Sequence, residues 1–366
     1  MLIIGGIAAV IAFLVINVNT NLAARHIATG FGFLDRQAHI PIAEPMVSYS
    51  DATSTFGRAL LEGLLNTLRV AAAGIVLSTL LGTLIGIGRL SPNALLSRVC
   101  AIYVEVVRDI PVLVQLLIWY ALLQGLPGPR QAMRFGSAFL SNRGIVIPML
   151  AASPAWGWVA LALVAGMASA WAAGRWARGR RERTGSAPSM ALPGAALVLG
   201  LPLIVWAASG APVALDRPSI HGFNFTGGTL LSPEYAALLI GLVVYTAAYI
   251  AEVVRSGLQA VGSGQTEAAG ALGLSRGQTL RLIVLPQALR VIIPPLTSEY
   301  LNLTKNSSLA VAIGFQDIVS LANTTMAQTG QSIEGVALIM ATYLTINLST
   351  SGLMAWYERR VRLVER

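Results

Sequence analysis

The sequence predicts an all-α integral membrane protein with about eight transmembrane helices. Two features of composition and one of arrangement predict it. Of 366 residues, 55% are hydrophobic and 11% are charged. The apolar residues come in long unbroken runs, and the arginines gather between those runs. A soluble domain carries about 25% charged residues, so charges this sparse do not cover a water-facing surface. Run lengths of this kind also argue against a large soluble α/β enzyme with an apolar core.

A helix needs about 20 apolar residues to cross the hydrocarbon core. Suitable runs occupy 1–18, 60–88, 99–125, 155–174, 191–209, 235–255, 292–320 and 334–356. No basic residue precedes the first run, so it reads as a retained span; a cleaved signal peptide is the alternative. The third run holds Glu105, Arg108 and Asp109, followed by Pro111, which predicts a bend. Glu105 and Arg108 are three residues apart and can pair on one helix face. They serve either helix packing or the translocation path, and Asn66, Thr67 and Arg69 raise the same choice in the second run. The seventh run opens on Pro294 and Pro295. It contains Glu299 and Asp317 and is interrupted midway by Lys305, Asn306, Ser307 and Ser308.

The net charge of +9 is set by arginines, since Lys305 is the only lysine. With the N-terminus placed in the cytoplasm, the inside segments hold 15 arginines and the outside loops 7. This asymmetry puts both termini inside. The firmest marker is GRWARGRRER at 174–183; lying between two apolar runs, it reads as a topology signal and not as a nucleic-acid site. The outside stretches 126–130 and 209–219 are rich in turn residues and predict short structure, not a folded domain. Cys100 stands alone, which excludes an internal disulfide and a cysteine-based metal cluster. His26, His39 and His221 are scattered in predicted loops and take no role.

Between the sixth and seventh runs lies QTEAAGALGLSRGQTLRLIVLPQALR, residues 265–290. Thr266 to Ala269 predict a helix start, with Glu267 where the helix dipole favours an acid. Gly273 predicts a stop, Ser275 a cap for a second helix, and Pro286 the end of that helix. The segment therefore reads as two short helices around a sharp bend, a knob for a cytoplasmic partner. Its spacing, Glu267-Ala268-Ala269, Gly273, Ile283 and Leu285-Pro286, resembles the EAA loop of membrane subunits of bacterial ABC importers.

Three further stretches narrow the resemblance. Residues 103–120, YVEVVRDIPVLVQLLIWY, resemble the Y-x-E-x-x-R-x-x-P-x-x-x-Q signature of polar amino acid permeases. Residues 248–275 resemble that family's lead into the EAA loop, and LTKNSSLA at 303–310 its K-[ND]-[ST]-S-L segment. The resemblance implies a five-helix permease core in 60–125 and 235–366. An initial helix and extracytoplasmic loop at 1–59, and an inserted helix pair at 126–234, lie outside that core. Such an insertion is most similar to permeases for general L-amino acid uptake.

The resemblance also implies roles. Glu267, Ala268, Ala269, Gly273, Ile283, Leu285 and Pro286 would form the coupling element gripped by ABC ATPase subunits. The other expected partners are a second permease subunit, homologous or identical, and an extracytoplasmic amino-acid-binding protein. The expected location is the bacterial cytoplasmic (inner) membrane, in contact with lipid and not with nucleic acid. Broken helices at membrane depth survive where they line a cavity. This makes Glu299, Lys305, Asn306, Ser307, Ser308 and Asp317 candidates for the solute path. Lys305 and nearby hydroxyls would meet a carboxylate there, and Glu299 or Asp317 an ammonium group.

No G-x-x-x-x-G-K-[ST] occurs, so ATP is expected on a partner and not on this chain. Metal-ligand spacing and catalytic constellations are likewise absent from the sequence, so neither cofactor nor enzyme activity is expected. A secondary transporter driven by an ion gradient is the rival reading. It explains intramembrane charges but leaves the EAA spacing as coincidence.

Overall fold

A computed structural model describes residues 29–361, apart from 152, 185–188 and 212, together with scattered positions before residue 29. The expected first span, 1–18, lies largely outside the described residues. The chain is mostly helical and forms two compact units. A core unit combines Met1–Gly125 with Ser232–Arg366, and an inserted unit comprises Leu126–Leu231.

In the core unit, α1 (Phe56–Arg89) starts on Thr55, whose hydroxyl accepts the Arg58 N–H. Two helices follow, α2 (Ala94–Asp109) and α3 (Val112–Gln124). The single span expected over 99–125 is in fact this pair, bent by 104°. Pro111 supplies no N–H at the break, which leaves carbonyls of α2 without helical donors. The Gln115 side chain fills that gap by donating to the Val107 and Ile110 carbonyls at 2.8 and 2.9 Å.

The inserted unit begins with short strands, β1 (Met133–Phe135), β2 (Ala138–Ser141), β3 (Gly144–Ile147) and β4 (Met149–Leu150). A helix pair follows, α4 (Ala155–Thr184) and α5 (Ala191–Ala208). Strands then resume as β5 (Leu215–Asp216), β6 (Ser219–His221), β7 (Asn224–Thr226) and β8 (Thr229–Leu231). Strands β1, β2, β3 and β8 form one antiparallel sheet, while β4–β5 and β6–β7 form two-stranded ladders. The turn-rich stretches are therefore more ordered than expected. Alternate burial of Phe139, Ser141, Gly144 and Val146 gives the sheet one inward face, a period too short to stand out among the apolar runs.

The chain returns to the core unit with α6 (Pro233–Gln259), the most buried of the apolar helices. Close approach to α1 requires glycine. A Cβ at Gly82 would sit 2.7 Å from the Ile250 Cβ and 2.8 Å from the Ala247 carbonyl oxygen. One at Gly86 would sit 2.7 Å from the Ala251 oxygen. Small residues of this kind let helix backbones pack tightly in lipid. Gly82→Val is expected to destabilise the unit by about 1–3 kcal/mol, read as a lower melting temperature in detergent.

Next come α7 (Ser263–Ala271) and a short turn, α8 (Arg276–Thr279). A π-helical turn, Leu280–Val284, then leads directly into α9 (Leu285–Asn306). Pro286 thus does not end a helix, and Pro294 and Pro295 do not open one; all three lie within a continuous helical run. The π-turn explains the first point: Leu285 N–H bonds back five residues to Leu280, and the widened turn admits Pro286 at the start of the following α-helix. After Asn306 the helix tightens to 3-10 geometry over Ser307–Ile313 and stops at Gly314, with φ +81°. The seventh expected span, 292–320, is replaced by the run Arg276–Ile313 and a separate helix, α10 (Ile318–Thr329). The last helix is α11 (Ser332–Val361). Among the described residues, five helices are long and apolar enough to cross a membrane, or six if the bent α2–α3 pair is one span; α5 is a shorter apolar helix.

The segment before α1 is tied to the core unit. Phe33, Ala38 and Ile40 are buried with Phe56, Leu60, Ile318 and Leu321. Glu62 is 0% exposed and accepts the backbone N–H groups of Met46 and Val47 at 2.8 and 3.0 Å. Glu44 bridges the Arg69 guanidinium at 2.9 Å and the Ser232 N–H at 2.7 Å. Burial, reinforced by the Asp51 and Glu62 carboxylates, holds the nearby Tyr49 phenol above its ordinary pKa.

Candidate functional site

The hairpin at 263–290 is built from local signals. Helix α7 closes through a paired C-terminal motif: Gly273 N–H bonds to Gly270 and Leu274 N–H to Ala269, at 2.9 and 3.1 Å. This geometry needs a left-handed residue, supplied by Gly273 at φ +77°. Ser275 and Gln278 then form a reciprocal capping box that starts the next turn. The Gln287 amide donates to Gln265 at 3.3 Å, linking the two arms. Helix α7 begins at Ser263 and not near Thr266, so Glu267 lies beyond its first turn.

All seven residues expected to couple lie on this hairpin. Ala269 is 1% exposed, facing the hairpin's interior. Glu267, Ala268, Gly273 and Leu285 are exposed, and Ile283 and Pro286 are half-buried. Leu272 is 80% exposed, and Leu280 and Leu282 are also largely exposed. A compact element carrying four exposed leucines, Leu272, Leu280, Leu282 and Leu285, has apolar surface for a partner to cover.

A second cluster gathers residues from three helices. Arg108, in the last turn of α2, lies over the Tyr249 ring of α6 at 5.0 Å. The Tyr245 and Tyr249 hydroxyls are 3.1 Å apart and their ring centroids 4.9 Å. Half-buried Glu299, on α9, interacts electrostatically with Arg108 and Tyr245. The arrangement sets one cation beside two phenols, within electrostatic reach of one carboxylate.

The expected Glu105–Arg108 pair does not appear among the described ion pairs, which are Arg69–Glu44, Arg89–Glu252 and Arg255–Glu252. An exposed pair three residues apart gains only about 0.2–0.5 kcal/mol. Arg108 instead lies over the aromatic face of Tyr249 on another helix, leaving Glu105 and Asp109 exposed. Asp317 also departs from expectation. It is 0% exposed and caps α10 by accepting the Ser320 N–H at 2.8 Å, so it is placed for helix capping and not for meeting a solute. Lys305 is exposed at the end of α9, next to half-buried Asn306. Ser307 and Ser308 donate their hydroxyls to the Thr304 and Lys305 carbonyls, each at 2.7 Å. Those hydroxyls stabilise the change of helix type, and Ser307 is fully buried.

Sequence reasoning passed over Tyr245 and Tyr249, whose spacing of four on one helix face was the available signal. It also passed over Glu252, which receives both Arg89 and Arg255 and ties the ends of α1 and α6 together. Among the described residues no group of three metal-ligating side chains is found.

A sequence profile for the binding-protein-dependent transport system inner membrane component family matches residues 162–363. Three relatives match over nearly the whole chain. The general L-amino acid transport system permease protein AapQ of Rhizobium johnstonii is 46% identical, over 96% of this chain and 88% of that protein. The putative amino-acid ABC transporter permease protein YhdX of Escherichia coli K12 is 48% identical, over 100% and 94%. The glutamate/glutamine/aspartate/asparagine transport system permease protein BztB of Rhodobacter capsulatus is 42% identical, over 97% and 91%.

Proposed function

This chain belongs to the binding-protein-dependent transport system inner membrane components, and from that premise we propose that it is the amino-acid-translocating permease subunit of an ATP-driven importer. The observation that carries this reading is the hairpin at 263–290, with its glycine-closed bend and open Leu272. Such a handle suits a partner ATPase, which binds and hydrolyses ATP while this chain does neither. Movement of the handle drives alternating access of the spans, a population shift set by nucleotide on the partner. The names of the three relatives support an amino acid as solute.

The chemistry of the α2–α6–α9 cluster fits a zwitterion. Arg108 meets the carboxylate of the solute and Glu299 its ammonium group, while Tyr245 and Tyr249 line the passage. Lys305 adds a second cation on the same helix as Glu299. A binding protein delivers solute from outside, and a second permease subunit completes the channel. The assembly sits in the bacterial inner membrane with both termini in the cytoplasm.

Purification from membranes tests this reading. The ATPase is expected to come down with this chain in stoichiometric amount, and its hydrolysis to rise when liganded binding protein is added. Uptake driven by an ion gradient, in proteoliposomes holding this chain without any ATPase, would establish the rival instead.

A further inference from the structure

The inserted unit carries a charged surface that the translocation mechanism does not use. Its two β-rich segments, 126–154 and 210–231, hold Arg130, Arg134, Arg143 and Arg217 against a single acid, Asp216. Asp216 is engaged in accepting the Gly228 N–H at 3.0 Å. All four arginines are exposed. Both segments join the α4–α5 pair at the end opposite the arginine-rich stretch 174–183. The positive-inside tendency therefore places them outside the cell, where arginines are disfavoured.

Two of these arginines are fixed in position. The Arg130 guanidinium stacks over Phe223 at 3.7 Å, with its Nε donating to the Gly222 carbonyl at 3.4 Å. The Arg134 guanidinium lies over Phe139 at 5.8 Å, with its Nε donating to the Gly136 carbonyl at 3.0 Å. Phe139 in turn packs on Phe225 with centroids 5.4 Å apart, joining the two pairs into one strip. Phe223 remains 68% exposed. Stacking occupies the face of a guanidinium and leaves its in-plane Nη donors outward. Among the described residues those donors have no acceptor. Arginine held against aromatic rings, here exposed Phe223 and buried Phe139, is the composition of an interface hot spot, and immobilised donors lose little entropy on binding.

We propose that Arg130 and Arg134, braced on Phe223 and Phe139, form a docking surface for carboxylates on the extracytoplasmic binding protein. The proposal rests on the importer reading, since that family depends on a binding protein. A soluble protein fits better than a lipid headgroup because the strip runs across folded β-structure and pairs each guanidinium with an aromatic ring.

The test uses the intact complex in nanodiscs and measures association of the binding protein. In the wild type, association is expected to slow as salt rises. The double variants Arg130→Gln/Arg134→Gln and Arg130→Glu/Arg134→Glu should slow low-salt association by about tenfold or more and flatten its salt dependence. ATPase retention and basal hydrolysis should stay at the wild-type level in both variants. Failure of the wild-type complex to retain an ATPase would instead refute the importer reading itself. Unchanged association in both variants overturns the proposal. So does a loss confined to the glutamate variant, which would reflect repulsion alone. An effect seen with phosphatidylglycerol in the disc but not with phosphatidylcholine alone would assign the arginines to lipid, and equally overturn it.

Discussion

Leu272→Asp is expected to abolish retention of the ATPase partner and, with it, solute uptake. The side chain is 80% exposed at the C-terminal cap of α7, so the substitution removes no packing within the chain. It replaces apolar surface with a charge that a partner would have to desolvate. Truncating a hot-spot side chain costs about 2 kcal/mol or more, roughly 30-fold in affinity, and a buried charge costs further. Gly273→Val should have a similar result by a different route. A β-branched residue at φ +77° is strained by more than about 1 kcal/mol, and the bend would open. The check is the ratio of ATPase to this chain after affinity purification, alongside the melting temperature. A Leu272→Asp protein that keeps its ATPase and its transport rate would show that the partner grips another surface.

Arg108→Ala is expected to remove stimulation of ATP hydrolysis by the liganded binding protein while leaving assembly intact. A hydrogen bond to a charged group in a protein contributes about 1.5–3 kcal/mol, so stimulation should fall by about ten- to a hundred-fold. Arg108→Lys should recover only part of it, because lysine provides neither the planar fork nor the same stacking on Tyr249. Glu299→Gln should weaken the response to amino acids more than to analogues lacking the ammonium group. Normal stimulation in both the Arg108→Ala and Glu299→Gln proteins would place the solute path elsewhere.

Much of the architecture is readable from sequence because lipid imposes simple rules. The long apolar runs and the stop at Gly273 each follow from one local cause. What is not readable depends on contacts between distant residues. Arg108 has Glu105 available one turn away, yet Tyr249, far along the chain, draws it instead. Asp317 looks like a solute ligand until α10 is seen to begin directly after it. The prolines mislead for a related reason. Pro111 breaks a helix where Gln115 satisfies the freed carbonyls, whereas Pro286 is absorbed by a π-turn five residues long. Proline alone does not say which solution the neighbouring residues permit.

The helical run Arg276–Ile313 spans 38 residues without a gap. At 1.5 Å per residue it is a beam about 57 Å long, leading from the hairpin to the cluster's Glu299 and beyond. About three quarters of the way along it bears on α1 where Leu303 packs against Gly74, a contact so close that a Cβ there would lie 3.1 Å from the leucine methyl. A side chain at position 74 would have to push Leu303 aside, so the spacing between this run and α1 is set at that one position.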